Sequence, residues 1–302
     1  MTDVNSGISP FTPETSRMAL AEACERIGVQ ASGAELIRLG ENAIYRIPAD
    51  DLVVRIARGG DVLQDARKEV AVSRWLRSAG LAVAQTTEHE QPIMVDGRPV
   101  TFWRFIESTG EEASVQELGA VLRRLHSLNV PEELDLPDLD MFGRVDVRIE
   151  RATDVPEADR RFLRDRVREL RRDFAELRFP LKSCAVHGDA HTANLIRTPE
   201  GQSVLIDFER FAFGQPEVDL AVTAVEHRIG WYTDSDYDDF VRSYGFDVTE
   251  WDGFPTLQAI SELKMTTWIM QNVSHSPDIA SEVRARLDTL RHPTAPRCWK
   301  PF

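Results

Sequence analysis

His187-Gly188-Asp189-Ala190-His191-Thr192-Ala193-Asn194-Leu195-Ile196, with Leu205-Ile206-Asp207-Phe208-Glu209 shortly after it, is the densest polar cluster in a chain of 302 residues. Asn194 follows Asp189 by five positions, and Asp207 follows Asn194 by thirteen. Two short apolar, strand-like pieces, residues 184–187 and 203–207, bracket the polar loop. Phosphoryl transfer calls for this set. It needs a carboxylate to orient the attacking hydroxyl and accept its proton, and oxygen ligands to hold Mg²⁺ on the nucleotide phosphates. His187 and His191 have helical metal-ligand spacing, but Gly188 interrupts a helix and no third soft ligand lies nearby.

Outward from the loop, the second half reads as mostly helical. Ser114 and Glu117 form a capping-box pattern ahead of Leu118, Val121, Leu122 and Leu125. Helical patterns cover residues 157–178, 217–230, 235–244, 254–272 and 278–290. In the first half, Thr12-Pro13 reads as a helix start and Gly28 as its stop. Residues 34–57 read as three short strands broken by Gly40, Pro48 and Asp50-Asp51, and residues 62–79 as a helix. Strands over 92–95 and 99–106 flank Asp96-Gly97, a hairpin signal. The pattern predicts an α+β, bilobal chain, with a small β-rich lobe over residues 1–106 and a larger helical lobe over 107–302.

The motif H-G-D-x-x-x-x-N followed by I-D-F-E resembles the signature of the aminoglycoside phosphotransferase family, the choline/aminoglycoside kinase-like group. The resemblance implies a protein-kinase-like fold, with Asp189 as catalytic base and Asn194 and Asp207 as Mg²⁺ ligands. Leu39-Gly40-Glu41-Asn42-Ala43-Ile44-Tyr45 is similar to the family's reduced nucleotide loop, which puts Gly40 and Asn42 on the nucleotide. Leu118 through His126 and Gly214 through Ala221 resemble two further family segments, in which His126 is structural and Asp219 braces the catalytic loop. Arg55 stands where a kinase lysine would meet the α- and β-phosphates, with Glu69 as its helix partner. An arginine offers a planar fork in place of a compact ammonium. Trp103 and Phe105 belong to a strand running into the hinge that would meet the adenine. The implied cofactors are ATP, with GTP an alternative, and Mg²⁺.

The acceptor side is read from charge. Net charge is −14 overall, −2 over residues 1–106 and −12 over 107–302. Residues 226–252 carry −6. Such acidity argues against non-specific nucleic-acid binding and favours a small, cationic, amine-bearing acceptor. Asp234, Glu262 and Trp268 are the candidate acceptor-binding residues, with a solvated face and a core tryptophan as the rival readings. No stretch approaches the ~20 apolar residues of a membrane span. Three widely spaced cysteines and a start without a basic, apolar leader predict a reducing, cytoplasmic setting. A resistance enzyme, an amino-sugar kinase and a kinase tailoring a secondary metabolite all fit. A catalytically idle nucleotide-binding module and a protein kinase are the alternatives. Oligomeric state is not legible.

Overall fold

The computed structural model describes residues 10–292 and 294–301, leaving the side chain of Asp61 aside. Most of the leader, residues 1–9, and two positions of the proline-rich C-terminal arm, Pro293 and Phe302, lie outside the described residues. Chain contacts divide the molecule into two compact units.

The first unit runs to Ala113 and takes in residues 131–136 and 193–211. Helix α1 (Pro13–Ile27) begins at Thr12, whose side chain accepts from the Thr15 amide, and ends on Gly28 at φ 73°. Five antiparallel strands follow the order β1 (Glu35–Leu39), β2 (Asn42–Ile47), β3 (Leu52–Ala57), β5 (Arg98–Arg104), β4 (Ile93–Val95). Asp96 and Gly97 both take positive φ, as a two-residue hairpin requires. Along β2 and β3 successive residues alternate between a buried inward face and a half-buried outer face. Tyr45, Ile47, Val54, Ile56, Val100 and Phe102 pack there with Leu20 and Cys24 of α1. Helix α2 (Leu63–Ser78) packs on β5.

Residues 193–211 join this unit through backbone hydrogen bonds. The hairpin of β7 (Leu195–Arg197) and β8 (Ser203–Leu205) lies in them. Leu205 donates to the Ala82 carbonyl and accepts from the Ala84 amide, both at 2.9 Å, while Thr109 donates to the Arg197 carbonyl. Asp207 is therefore carried by the same unit as Arg55, although 152 positions separate them.

The second unit holds α3 (Val115–His126), α4 (Val145–Arg151), α5 (Glu157–Ala175), α6 (Glu217–Arg228), α7 (Asp234–Tyr244), α8 (Phe254–Met270) and α9 (Pro277–Arg291). Helix α8 is the hub, since α4, α5, α6 and α9 all pack on it. The Ser114–Glu117 capping box opens α3, and a matching Thr233–Asp236 box opens α7. A short pair, β6 (Cys184–Val186) with β9 (Ala212–Gly214), carries the chain into and out of the polar loop. Sequence periodicity gave no sign of α4, β7 or β9. Each spans only three to seven residues, too few for a hydrophobic repeat to show.

Gly119 lets α3 approach α7. A Cβ there would stand 2.8 Å from the Phe240 carbonyl oxygen and 3.3 Å from the Phe240 ring. Gly119→Ala should therefore destabilise the protein by about 1–3 kcal/mol through overpacking, despite alanine's better helix propensity. Thermal unfolding checks this, and a Tm at or above that of the parent would count against close α3–α7 packing.

Candidate active site

Asp219, in the first turn of α6, is completely buried. Its two oxygens accept the amides of His187 at 2.7 Å and Gly188 at 2.8 Å. His126 Nε2 lies 3.1 Å from Oδ2, and His126 Nδ1 lies 2.9 Å from the Tyr244 hydroxyl. Burial alone would raise the Asp219 carboxyl, but His126 and the loop amide outweigh it and hold the group below the ordinary carboxylate range. Gly188 takes φ 78°, so the loop turns sharply and presents the half-exposed Asp189.

Glu226 lies seven residues beyond Asp219, two turns along the same face of α6. Burial pushes its carboxyl up to about 7, with the Asp189 charge adding to the rise and a hydrogen bond from Tyr232 opposing it. One oxygen, Oε2, is buried with no hydrogen-bond partner among the described residues. The Tyr232 hydroxyl also lies 3.1 Å from Thr192 Oγ1. A carboxyl, a phenol and the loop carrying Asp189 thus meet within the second unit. Sequence reading missed Glu226 and Tyr232 because Glu226 was pooled into the acidic run. Helical spacing from Asp219 was the signal that finds it.

In the first unit, Arg55 on β3 is the centre of a polar cluster. Its Nη1 donates to Glu69 on α2 at 2.6 Å, and Nη2 reaches Glu209 at 3.3 Å. With its amide oxygen turned inward, Asn42 accepts from Arg55 Nε at 3.0 Å and Nη2 at 2.9 Å. The β2–β3 register explains this contact. Arg55 faces Ile44, and Asn42 is the diagonal neighbour on the same side of the sheet. Burial pushes the Glu69 carboxyl up to about 7; Arg55 opposes the rise, while the Asp207 and Glu209 charges add to it. Lys68 Nζ donates to the Glu209 carbonyl at 2.6 Å.

Asn194 and Asp207 come together at one end of the β7–β8 hairpin. Leu195 pairs with Leu205, and the Ile206 amide donates to the Asn194 carbonyl at 3.0 Å. Asp207 is exposed and sits at φ 64°, a left-handed conformation that aspartate tolerates better than most residues and that Asp51 and Asp96 also adopt in this chain. Glu69, Asp207 and Glu209 outnumber Arg55 and Lys68 in this cluster. Among the described residues no group of three or more His, Cys, Asp or Glu side chains is arranged to hold a metal ion, so a hard divalent cation here would need further oxygens from a bound ligand.

The remaining sequence candidates are placed as follows. Gly40 donates its amide to the Asn42 carbonyl, and a Cβ on it would approach no closer than 3.7 Å to anything, so its conformation does not demand glycine. Trp103 donates to Thr101 Oγ1 at 2.9 Å and leans on Phe208. The Arg46 guanidinium covers the Phe105 ring at 3.9 Å, and the Phe105 amide is bonded to the Asp51 carbonyl. Asp234 is exposed at the start of α7, 2.8 Å from His227. Glu262 is 2% exposed and is held by Arg297 and Gln258, whereas Trp268 on the same helix is 45% exposed. The fold does not bring Glu262 and Trp268 to one face of α8.

The sequence profile of the phosphotransferase enzyme family matches residues 35–255, most of the chain. No curated protein sequence matches it. Among solved structures, a microcompartment-associated aminopropanol kinase superposes with TM-score 0.71 at 18% identity, covering 92% of this chain and 94% of that one. An amicoumacin kinase in complex with AMP-PNP, Ca²⁺ and Ami gives 0.68 at 14% identity, covering 98% and 93%. The choline kinase of Streptococcus pneumoniae gives 0.65 at 15% identity, covering 92% and 99%. These likenesses confirm the kinase-like fold, with its β-sheet region followed by a helical region. The profile match over most of the sequence shows that the chain belongs to the phosphotransferase enzyme family.

Proposed function

We propose that the protein transfers the γ-phosphoryl group of ATP to a hydroxyl of a small, amine-bearing molecule. The observation that carries the acceptor assignment is the half-buried Glu226 carboxyl beside Asp189, whose Oε2 is shielded from water and has no hydrogen-bond partner among the described residues. An ammonium group on the acceptor would complete the hydrogen bonding of Glu226 and offset its charge, so an amine is favoured over a neutral alcohol. The similar structures support a cationic acceptor, since aminopropanol is a primary amino alcohol and choline carries a quaternary nitrogen that offsets charge although it has no N–H to donate.

In this reading Asp189 accepts the acceptor's hydroxyl proton as the oxygen attacks the γ-phosphorus in line and the bond to the ADP oxygen breaks. Asp219 keeps the loop in place by taking the two amides that precede Asp189. Arg55, oriented by Asn42 and Glu69, grips phosphate oxygens, with Gly40 and the Trp103–Phe105 strand beside the nucleotide. Asn194 and Asp207 would hold Mg²⁺, which when bound neutralises charge on the phosphates.

A coupled ADP-release screen over amino alcohols, amino sugars, aminoglycosides and their neutral analogues tests the acceptor class. A neutral or anionic best acceptor would defeat the amine assignment. Asp189→Asn should lower kcat at least about a hundredfold while leaving nucleotide affinity close to that of the parent. Asp207→Ala should remove the dependence of nucleotide affinity on Mg²⁺, read by titration with and without the metal. Superimposable titrations would show that Asp207 is not a ligand.

Glu226 also makes a stability prediction. Its carboxyl titrates near 7 in the folded chain against an ordinary value of 4.5, so the fold holds that proton longer than the unfolded chain does. Its contribution is most favourable below about pH 4.5 and is lost as pH rises through 7. Glu226→Gln removes this loss. The variant's Tm should gain on the parent's between pH 5 and pH 8, while its KM for amine acceptors rises. A Tm difference that does not change with pH would show that Glu226 is not buried against its charge.

A further inference from the structure

The donors of Arg55 are almost fully committed. A guanidinium has five N–H groups in a planar fork. Asn42 takes the Nε and one Nη2 hydrogen, Glu69 takes one from Nη1, and Glu209 takes the other from Nη2. The edge made by Nε and Nη2 therefore faces Asn42, while the edge made by Nη1 and Nη2 is divided between two carboxylates. A phosphate group needs a pair of neighbouring N–H donors to be gripped in two places. It can gain that pair only by replacing one of the present acceptors.

The three acceptors are not equally easy to replace. Asn42 lies on the adjoining strand and makes two bonds. The Glu69 side chain is only 7% exposed, and its contact is short at 2.6 Å. The Glu209 side chain is 37% exposed, and its contact is the longest at 3.3 Å. Its backbone is fixed separately, because Lys68 donates to the Glu209 carbonyl. The side chain can swing away without moving the loop that carries Asp207.

We propose that Glu209 is a positioning residue that competes with nucleotide phosphate for Arg55, so that phosphate binding releases its carboxylate toward the cation held beside Asp207. The proposal rests on the reading of Arg55 as the phosphate contact. Glu209 thereby disfavours metal-free nucleotide and favours the metal complex, which selects the productive form of the donor. The arrangement depends on arginine: the fork lets one side chain serve Asn42, Glu69 and a third acceptor together, which a lysine ammonium would not do in one plane.

The test is the affinity of the full-length protein for ATP in EDTA and in excess Mg²⁺, measured by calorimetric titration on the parent, Glu209→Gln, Arg55→Ala and the double variant. Glu209→Gln should bind metal-free ATP about two- to fivefold more tightly, the range expected on releasing a partly exposed ion pair. The further gain in affinity on adding Mg²⁺ should be smaller than in the parent. In the Arg55→Ala background the Glu209 substitution should give no gain. Glu209→Ala serves as the second variant, since a glutamine amide oxygen can still accept from Arg55. Metal-free affinity that is unchanged or weaker in both Glu209 variants would overturn the proposal. So would a gain that persists without Arg55, which would mark general relief of negative charge. If Arg55→Ala alone leaves ATP affinity at the parent's value, the phosphate reading itself falls and the competition with it, and that single variant tells the two failures apart.

Discussion

The buried Asp219 carboxylate is the constraint on which the reacting loop depends. Removing a carboxylate from water costs several kcal/mol unless its oxygens are fully engaged. Here the amides of His187 and Gly188 and the His126 ring engage them. Hydrogen bonds to a charged group contribute roughly 1.5–3 kcal/mol each, so the set offsets the desolvation. Because two of the donors are consecutive backbone amides, satisfying the charge fixes the path of the chain immediately before Asp189. His126 in turn is set by Tyr244, which ties α3 and the end of α7 to the same carboxylate. A neutral replacement at Asp219 would leave the loop amides a weaker acceptor and the His126 ring without its carboxylate partner.

The first unit solves the opposite problem, an excess of like charge. Burial and the Asp207 and Glu209 charges raise Glu69, and Arg55 only partly compensates. Asn42 supplies one neutral oxygen that accepts two N–H groups, which orients the guanidinium without adding a further carboxylate. Asp207 stands exposed in its left-handed backbone position, and its charge reaches Glu69. The same surplus that makes the cluster costly to assemble makes it attractive to a divalent cation.

Most of the fold was legible in the sequence because its element ends carry local chemistry. Thr12-Pro13 and Gly28, the Ser114–Glu117 box, and Asp96-Gly97 each encode a backbone geometry with side chains a few residues away. The three-residue strands β7 and β9 carry no such signal, and their pairing is decided by partners elsewhere. The attachment of residues 193–211 to the first unit was illegible for the same reason, since it rests on backbone bonds from Leu205 and Arg197 to Ala82, Ala84 and Thr109. In the candidate site, the spacing of Asp189, Asn194 and Asp207 is plain in one dimension. The Asn42–Arg55 contact depends on strand register and the Glu226–Asp189 proximity on helix packing, and neither follows from spacing alone.

Net charge is a poor guide to which acidic residues meet a ligand. Within residues 226–252, Asp236 closes the Thr233 capping box, Asp247 accepts from Tyr237 and Thr249, and Asp239 pairs with Arg242. Asp234 stands 98% exposed beside His227. These groups serve local structure, and their fields fade over a Debye length of roughly 8 Å at physiological ionic strength. Glu226 contributes one charge to the same total, yet burial and the Asp189 charge both raise its carboxyl. Low dielectric surroundings strengthen each interaction it makes and penalise leaving it unpaired. Steering of a cationic acceptor is thus a property of the whole acidic half, spread over many replaceable residues. Selection of an amine, in the proposed reading, is concentrated in one carboxyl whose burial makes its pairing count.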